Sequence, residues 1–171
     1  MVTQIPSVHP AYASRLAERQ NSQYTEIWDC LDVVCDPELP GVSLWDLGVL
    51  QTVGINEKTI HIGITLTYSG CPAVHTMKDD IKARLEAEYP DYISEIKVLL
   101  APAWTTDFMS PEAKHKLAKI NIVAPNADNE VNCPQCQSQN TRLISQFGST
   151  ACKAMYSCED CAEVFDYFKV L

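Results

Sequence analysis

The sequence predicts an α+β fold, a small mixed-sheet domain followed by a separate C-terminal unit, and three observations carry that prediction. Up to residue 123 the hydrophobic periodicity runs helix, strand, strand, helix, strand, helix. The tract APNADNE, residues 124–130, is polar and turn-rich and reads as a linker. Beyond it, Cys133-Pro-Gln-Cys136 and Cys158-Glu-Asp-Cys161 form two CxxC pairs separated by 21 residues.

Residues 1–22 mix Pro, Ser, Gln and scattered charges without a sustained period and read as an N-terminal extension, in which Tyr12 to Gln20 is compatible with a short helix. The first strong helix is expected over 23–35, where Ile27, Cys30, Leu31 and Val34 recur at helical spacing until Pro37 stops it. DPELPG, Asp36 to Gly41, makes a rigid loop. Strands are expected at 49–55 and 60–66 around the turn Asn56-Glu57-Lys58; in the second, Ile60, Ile62, Ile64 and Leu66 share one face. A helix begun by Pro72 carries Val74, Met77, Ile81 and Leu85 on one stripe, and Tyr89-Pro90 ends it. A third strand is expected at 93–100. After the loop Ala101 to Met109, Ser110 caps a short helix with Pro111 at its first position and Glu112 in its first turn.

Each CxxC knuckle can point two thiolates at one ion, and the segments 143–147 and 153–157 suit two short strands that bring the knuckles together. Cys133, Cys136, Cys158 and Cys161 are therefore the expected ligands of one metal, zinc first, with a single iron or an iron-sulfur cluster as the alternatives. Four thiolates leave no open position, so the metal is structural and holds a zinc-ribbon-like domain over 131–171. Cys152 lies outside the pairs; it faces solvent, fills a small buried space or reacts with a partner.

Cys71 stands where the second strand gives way to a helix, whose positive end would lower the thiol pKa. A reactive or metal-handling thiol and a small buried cap residue are both compatible with that position. Asp36 and Glu38 emerge from the proline-stiffened turn, and Thr105 and Asp107 lie in the later loop. If these loops converge near Cys71 they offer carboxylates and hydroxyls beside a thiolate. His75, at i+4 from Cys71, is either a second ligand or an exposed helical histidine.

The formal charge of -9 argues against broad affinity for phosphate backbones. Within 131–171 only Arg142, Lys153 and Lys169 are basic, against four acidic side chains, so a nucleic-acid role for the ribbon is disfavoured. No apolar run is long enough to cross a bilayer and no export signal is visible, so a cytoplasmic chain with no membrane partner is expected. Phosphate loops, a nucleophile elbow and HExxH are absent. Catalysis by this chain alone is therefore weakly supported, and a role as one subunit of an oxidoreductase is a third reading.

Taken as a set, DPELPGVSLWDLGVL, TLTYSGCP and APAWTTDFMSPEAKHKL resemble the MIP18/DUF59 family, whose members act in iron-sulfur protein maturation. With the ribbon added, residues 23–171 are similar to the branch that accompanies the bacterial phenylacetyl-CoA epoxygenase. The resemblance implies a MIP18/DUF59-like domain over 23–123 and an accessory role in assembly or maturation, or docking without metal transfer. It matches Asp36 and Glu38 to an acidic-proline turn, Cys71 to a characteristic cysteine, and Trp104 to Met109 to the loop before the last helix. With His75, Thr105 and Asp107 these are the candidate residues for iron or sulfur transfer or for client docking. The implied partners are the epoxygenase components or their iron-sulfur reductase, and the implied cargo is a transient iron ion or iron-sulfur cluster. Exposed edges of a small mixed sheet also allow a homodimer.

Overall fold

The computed structural model describes residues 8–125 and 130–169. Most of the expected linker, 126–129, and the start of the N-terminal extension, 1–7, lie outside these residues. Among the described residues four α-helices and seven strands make up the two parts: α1 Pro10–Gln20, α2 Thr25–Leu31, β1 Leu50–Asn56, β2 Thr59–Ile64, α3 Val74–Glu88, β3 Ile93–Val98, α4 Pro111–Lys119, β4 Ile122–Val123, β5 Thr141–Ser145, β6 Lys153–Cys158 and β7 Val164–Phe168.

The first sheet has the order β1-β2-β3, with β1 and β2 antiparallel and β2 and β3 parallel. A parallel neighbour needs a crossover, and α3 supplies it. Alternation puts Ile60, Ile62 and Ile64 of β2 on the covered face, where Met77, Ile81 and Leu85 of α3 join them in one core with Leu31, Leu44, Leu47 and Leu117. Each such side chain removed from water contributes roughly 1.5–3 kcal/mol. The turn between β1 and β2 is completed by Glu57 at φ 53. Gly48, at φ 84, lets the chain enter β1 where a Cβ would meet the Phe108 Cβ at 2.5 Å.

Two helices differ from their expected form. The helix read over 23–35 ends at Leu31, because residues 34–36 fold back on the proline-bounded loop. The Leu44 amide donates to the Val34 carbonyl (2.9 Å) and the Asp36 amide to the Val42 carbonyl (3.0 Å). Val34 stays buried, so the helical stripe is kept while the chain leaves the helix. The helix after Cys71 starts at Val74 with Ala73 as its cap, so Pro72 precedes the first turn.

Within the region read as an extension, α1 is firmly attached. Its Arg15 is buried, donates to the carbonyls of Phe108 (2.6 Å), Trp45 (3.2 Å) and Leu50 (2.8 Å), and stacks over Trp45 at 4.2 Å. Burial pulls its guanidinium down to about 10. Arg19 clamps α1 to α2 through Asp29 (2.6 Å) and Asp32 (2.7 Å). At the other end, Ser110 caps α4 as expected: its hydroxyl accepts from the Ala113 amide (2.9 Å) and donates to Asp46 (2.7 Å).

The second sheet has the order β4-β7-β6-β5. Its edge strand β4 follows directly on α4 and pairs parallel with β7, so the residues on either side of 124–130 belong to one sheet. Phe168 of β7 and Cys152, just before β6, pack into the core of the first domain, and the Phe168 ring lies 6.0 Å from that of Trp104. Among the described residues no helix is long and apolar enough to cross a membrane.

Candidate metal centre and thiol pocket

The two knuckles fold alike. In each, the residue after the second cysteine turns left-handed, Gln137 at φ 62 and Ala162 at φ 64. Their amides donate back to the first cysteines, Gln137 to Cys133 (2.9 Å) and Ala162 to Cys158 (3.0 Å), and the amides of those cysteines donate on to Ser138 and Glu163. This closes each CxxC into a tight loop with both sulfurs on one side.

The four sulfurs lie within 4.8 Å of one another. Each close contact takes one sulfur from each knuckle: Cys133 to Cys161 at 3.6 Å and Cys136 to Cys158 at 3.5 Å. Thiolates placed tetrahedrally around zinc at about 2.3 Å stand about 3.8 Å apart, so the set fits one zinc and encloses it on all sides. Without an ion the thiols share protons. Burial works against the Cys158 thiolate, but the amides of Cys161 and Asp160 and the thiols of Cys136 and Cys161 bring it down to about 7. The Glu163 amide favours the Cys161 thiolate, yet its contact with Cys136, burial, and contacts with Cys158 and Cys133 push that thiol up to about 12. A bound cation replaces those protons and holds all four sulfurs as ligands. With no position left for water, its work is structural.

A second site forms where the two parts meet. Asp36, Glu38, Thr67 and Cys71 from the first domain and Thr150, Cys152 and Lys153 from the ribbon line one cavity of about 10 Å³, the room of one water-sized sphere. Cys71, Cys152, Asp36 and Lys153 are all buried, while Glu38 is exposed at the edge. The Asp36 carboxylate accepts from the Glu38 amide at 2.8 Å, the Thr150 hydroxyl and the Cys152 sulfur are 3.1 Å apart, and Lys153 Nζ lies 3.8 Å from Asp166.

The expectation that a helix lowers the Cys71 pKa is reversed. Burial pushes the thiol up; the Ala73 amide opposes that, and Asp36, Glu38 and Cys152 add to it. Cys71 sits before the first turn of α3, and the one amide that acts on its thiol, that of Ala73, is outweighed by burial. Burial likewise pushes the Asp36 carboxyl up, against the amide of Glu38.

The remaining candidates lie elsewhere. His75 is exposed on α3. Thr105 accepts from the Asp107 amide (3.3 Å), and Asp107 faces His9 at 3.6 Å. None of the three lines the Cys71 cavity. The loop nevertheless reaches the junction through Trp104, whose indole donates to the Leu47 carbonyl at 3.1 Å. Sequence reasoning set Cys152 apart from the CxxC pairs, with a small buried space among its alternatives, but did not bring it to Cys71, and it missed Lys153 as a pocket residue.

An α+β domain with a thiol between strand and helix, joined to a four-cysteine ribbon, defines a two-part class of proteins, and the profile matched by residues 24–98 is that of an iron-sulfur cluster assembly protein. The chain belongs to the MIP18/DUF59 family, in the branch that carries the PaaD ribbon. Residues 24–98 match the profile described as an iron-sulfur cluster assembly protein, and residues 119–169 match the PaaD zinc beta ribbon domain. An Escherichia coli (strain K12) protein, provisionally named as one of the subunits of 1,2-phenylacetyl-CoA epoxidase, is 43% identical over 92% of this chain and 99% of its own. The Fe-S protein maturation auxiliary factor YitW of Bacillus subtilis (strain 168) is 39% identical over 52% of this chain and 86% of its own. Among solved structures, a DUF59 domain from Bacillus anthracis superposes with a TM-score of 0.51 at 31% identity, over 61% of this chain and 95% of that one.

Proposed function

We propose that this protein is an accessory factor for the assembly or iron-sulfur maturation of a phenylacetyl-CoA epoxygenase system. Cys71 receives or passes on iron or sulfur, and the zinc ribbon presents the client. The observation that carries this reading is the fusion in one chain of an iron-sulfur assembly domain with a PaaD ribbon, together with similarity over nearly the full length of a protein named as an epoxidase component. The uncommitted thiol of the junction pocket supports Cys71 as the working group, since the ribbon sulfurs are committed to one ion. On this reading the catalytic work of such a system falls to its other components.

A docking adaptor without metal transfer is the second reading. Leu143, Ile144 and Phe147, exposed on and beside the outer strand β5, support it as an apolar surface for a client. Cys71→Ser separates the two. Clients isolated anaerobically with this variant are expected to lose most of their iron and sulfide while still co-purifying with it. Clients with full iron and sulfide content would sink a transfer role for Cys71 and leave the adaptor.

A further inference from the structure

We propose that Cys71 and Cys152 together hold one thiophilic divalent ion of the ferrous class, in two-thiolate coordination, at the junction of the two domains. This deepens the function proposed above and rests on it, because it makes the ribbon a contributor to the transfer site. Three observations and one rule of donor chemistry converge. Two free thiols from segments far apart in the chain, 8% and 6% exposed, line the same cavity. That cavity takes one water-sized sphere, which suits a single ion and is too small for a cluster of several irons and sulfides. Sulfur donors select soft and borderline metals.

The local charge points the same way. Asp36 and Glu38 act on Cys71 alongside Cys152, so ionising the two thiols alone would crowd four negative groups around one buried ammonium, Lys153, which already faces Asp166 at 3.8 Å. The ammonium offsets part of that charge and a divalent cation offsets most of the remainder; binding then releases the two thiol protons to solvent. The Ala73 amide, already directed at Cys71, stabilises the resulting thiolate.

Among the described residues the four-cysteine cluster is the only group of three or more such ligands within mutual reach, so no third carboxylate or imidazole closes the pair. The ion fills the cavity, so its remaining coordination positions are reached by water or an incoming client ligand only from the exposed edge of the pocket at Glu38. The chain thus has one closed site with four thiolates and one open site with two, and only the second can exchange its ion without dismantling the fold.

The test uses the full chain with its ribbon zinc retained, titrated without oxygen with Fe²⁺ and, for its sulfur-to-metal charge-transfer bands, with Co²⁺. The wild type is expected to take up one ion beyond zinc. Cys71→Ser and Cys152→Ser should each weaken that uptake at least tenfold and lose about half of the charge-transfer intensity, with zinc still at one per chain to show that the ribbon is folded. No second ion in the wild type, or uptake by Cys152→Ser equal to the wild type, would overturn the proposal. Client iron content, measured in parallel, separates it from the functional reading. Clients that fail with Cys71→Ser while the wild type takes no ion overturn the site alone. Uptake of the ion with clients indifferent to Cys71 supports the site and overturns the transfer role.

Discussion

The two halves of this protein solve the same stability problem by different means. The first domain encloses Ile62, Ile64, Leu47, Ile81 and Leu117 almost completely, mostly with its own side chains, and takes in only Cys152 and Phe168 from the ribbon. The ribbon's own buried cluster is Cys133, Cys158 and Phe165, two of which are metal ligands. What it lacks it takes from elsewhere, in zinc at one end and in the first domain's core, through Phe168, at the other. A small sheet anchored at both ends can be rigid without a core of its own, and that rigidity is what a thiol such as Cys152 needs in order to be held opposite Cys71.

The largest effect on this contrast comes from removing zinc. Structural zinc contributes on the order of 10 kcal/mol in small ribbons and fingers, so chelation is expected to unfold β5 to β7 while β2 and α3 stay folded. Hydrogen exchange reads this directly: amides of residues 153–158 should lose protection and those of 77–85 should keep it. Persistent protection in β6 would mean that docking on the first domain suffices. Next comes Phe168→Ala, expected to cost about 3–5 kcal/mol and to split one thermal transition into two while leaving one zinc per chain. A single unsplit transition would show that β4 pairing alone couples the halves. The smallest is Ser110→Ala, which removes the cap of α4 immediately before β4 and should lower the stability of the first domain by about 1 kcal/mol, with ribbon exchange rates unchanged. An equal loss in the ribbon would extend the coupling through α4.

Much of this was legible in the sequence where a single physical rule decides the outcome. Alternation placed β2, the Ser110-Pro111 pair placed α4, and the CxxC spacing placed the metal centre. Other features depend on partners distant in the chain. Arg15 is one of the scattered charges of residues 1–22, and only the fold brings three carbonyls onto it. Val34 satisfies a helical stripe and an extended pairing equally well, and only the fold-back of residues 42–44 chooses between them. The Cys71 pKa followed a local rule about helix ends, but burial and two carboxylates from a different loop outweigh it. Strand β4 is two residues long, too short for any periodicity, yet it ties the ribbon sheet to α4.

Strand β6 begins beside Cys152 and ends at Cys158, so one rod of roughly 20 Å carries a wall of the thiol pocket at one tip and a zinc ligand at the other. That arrangement imposes an order on biosynthesis. Asp36, Glu38 and Cys71 leave the ribosome long before Cys152, and β6 is not held until Cys161, the last zinc ligand, has followed. On the paired-site proposal a growing chain therefore carries Cys71 without its partner thiol, and the pair is complete only once Cys152 and the last zinc ligand have followed.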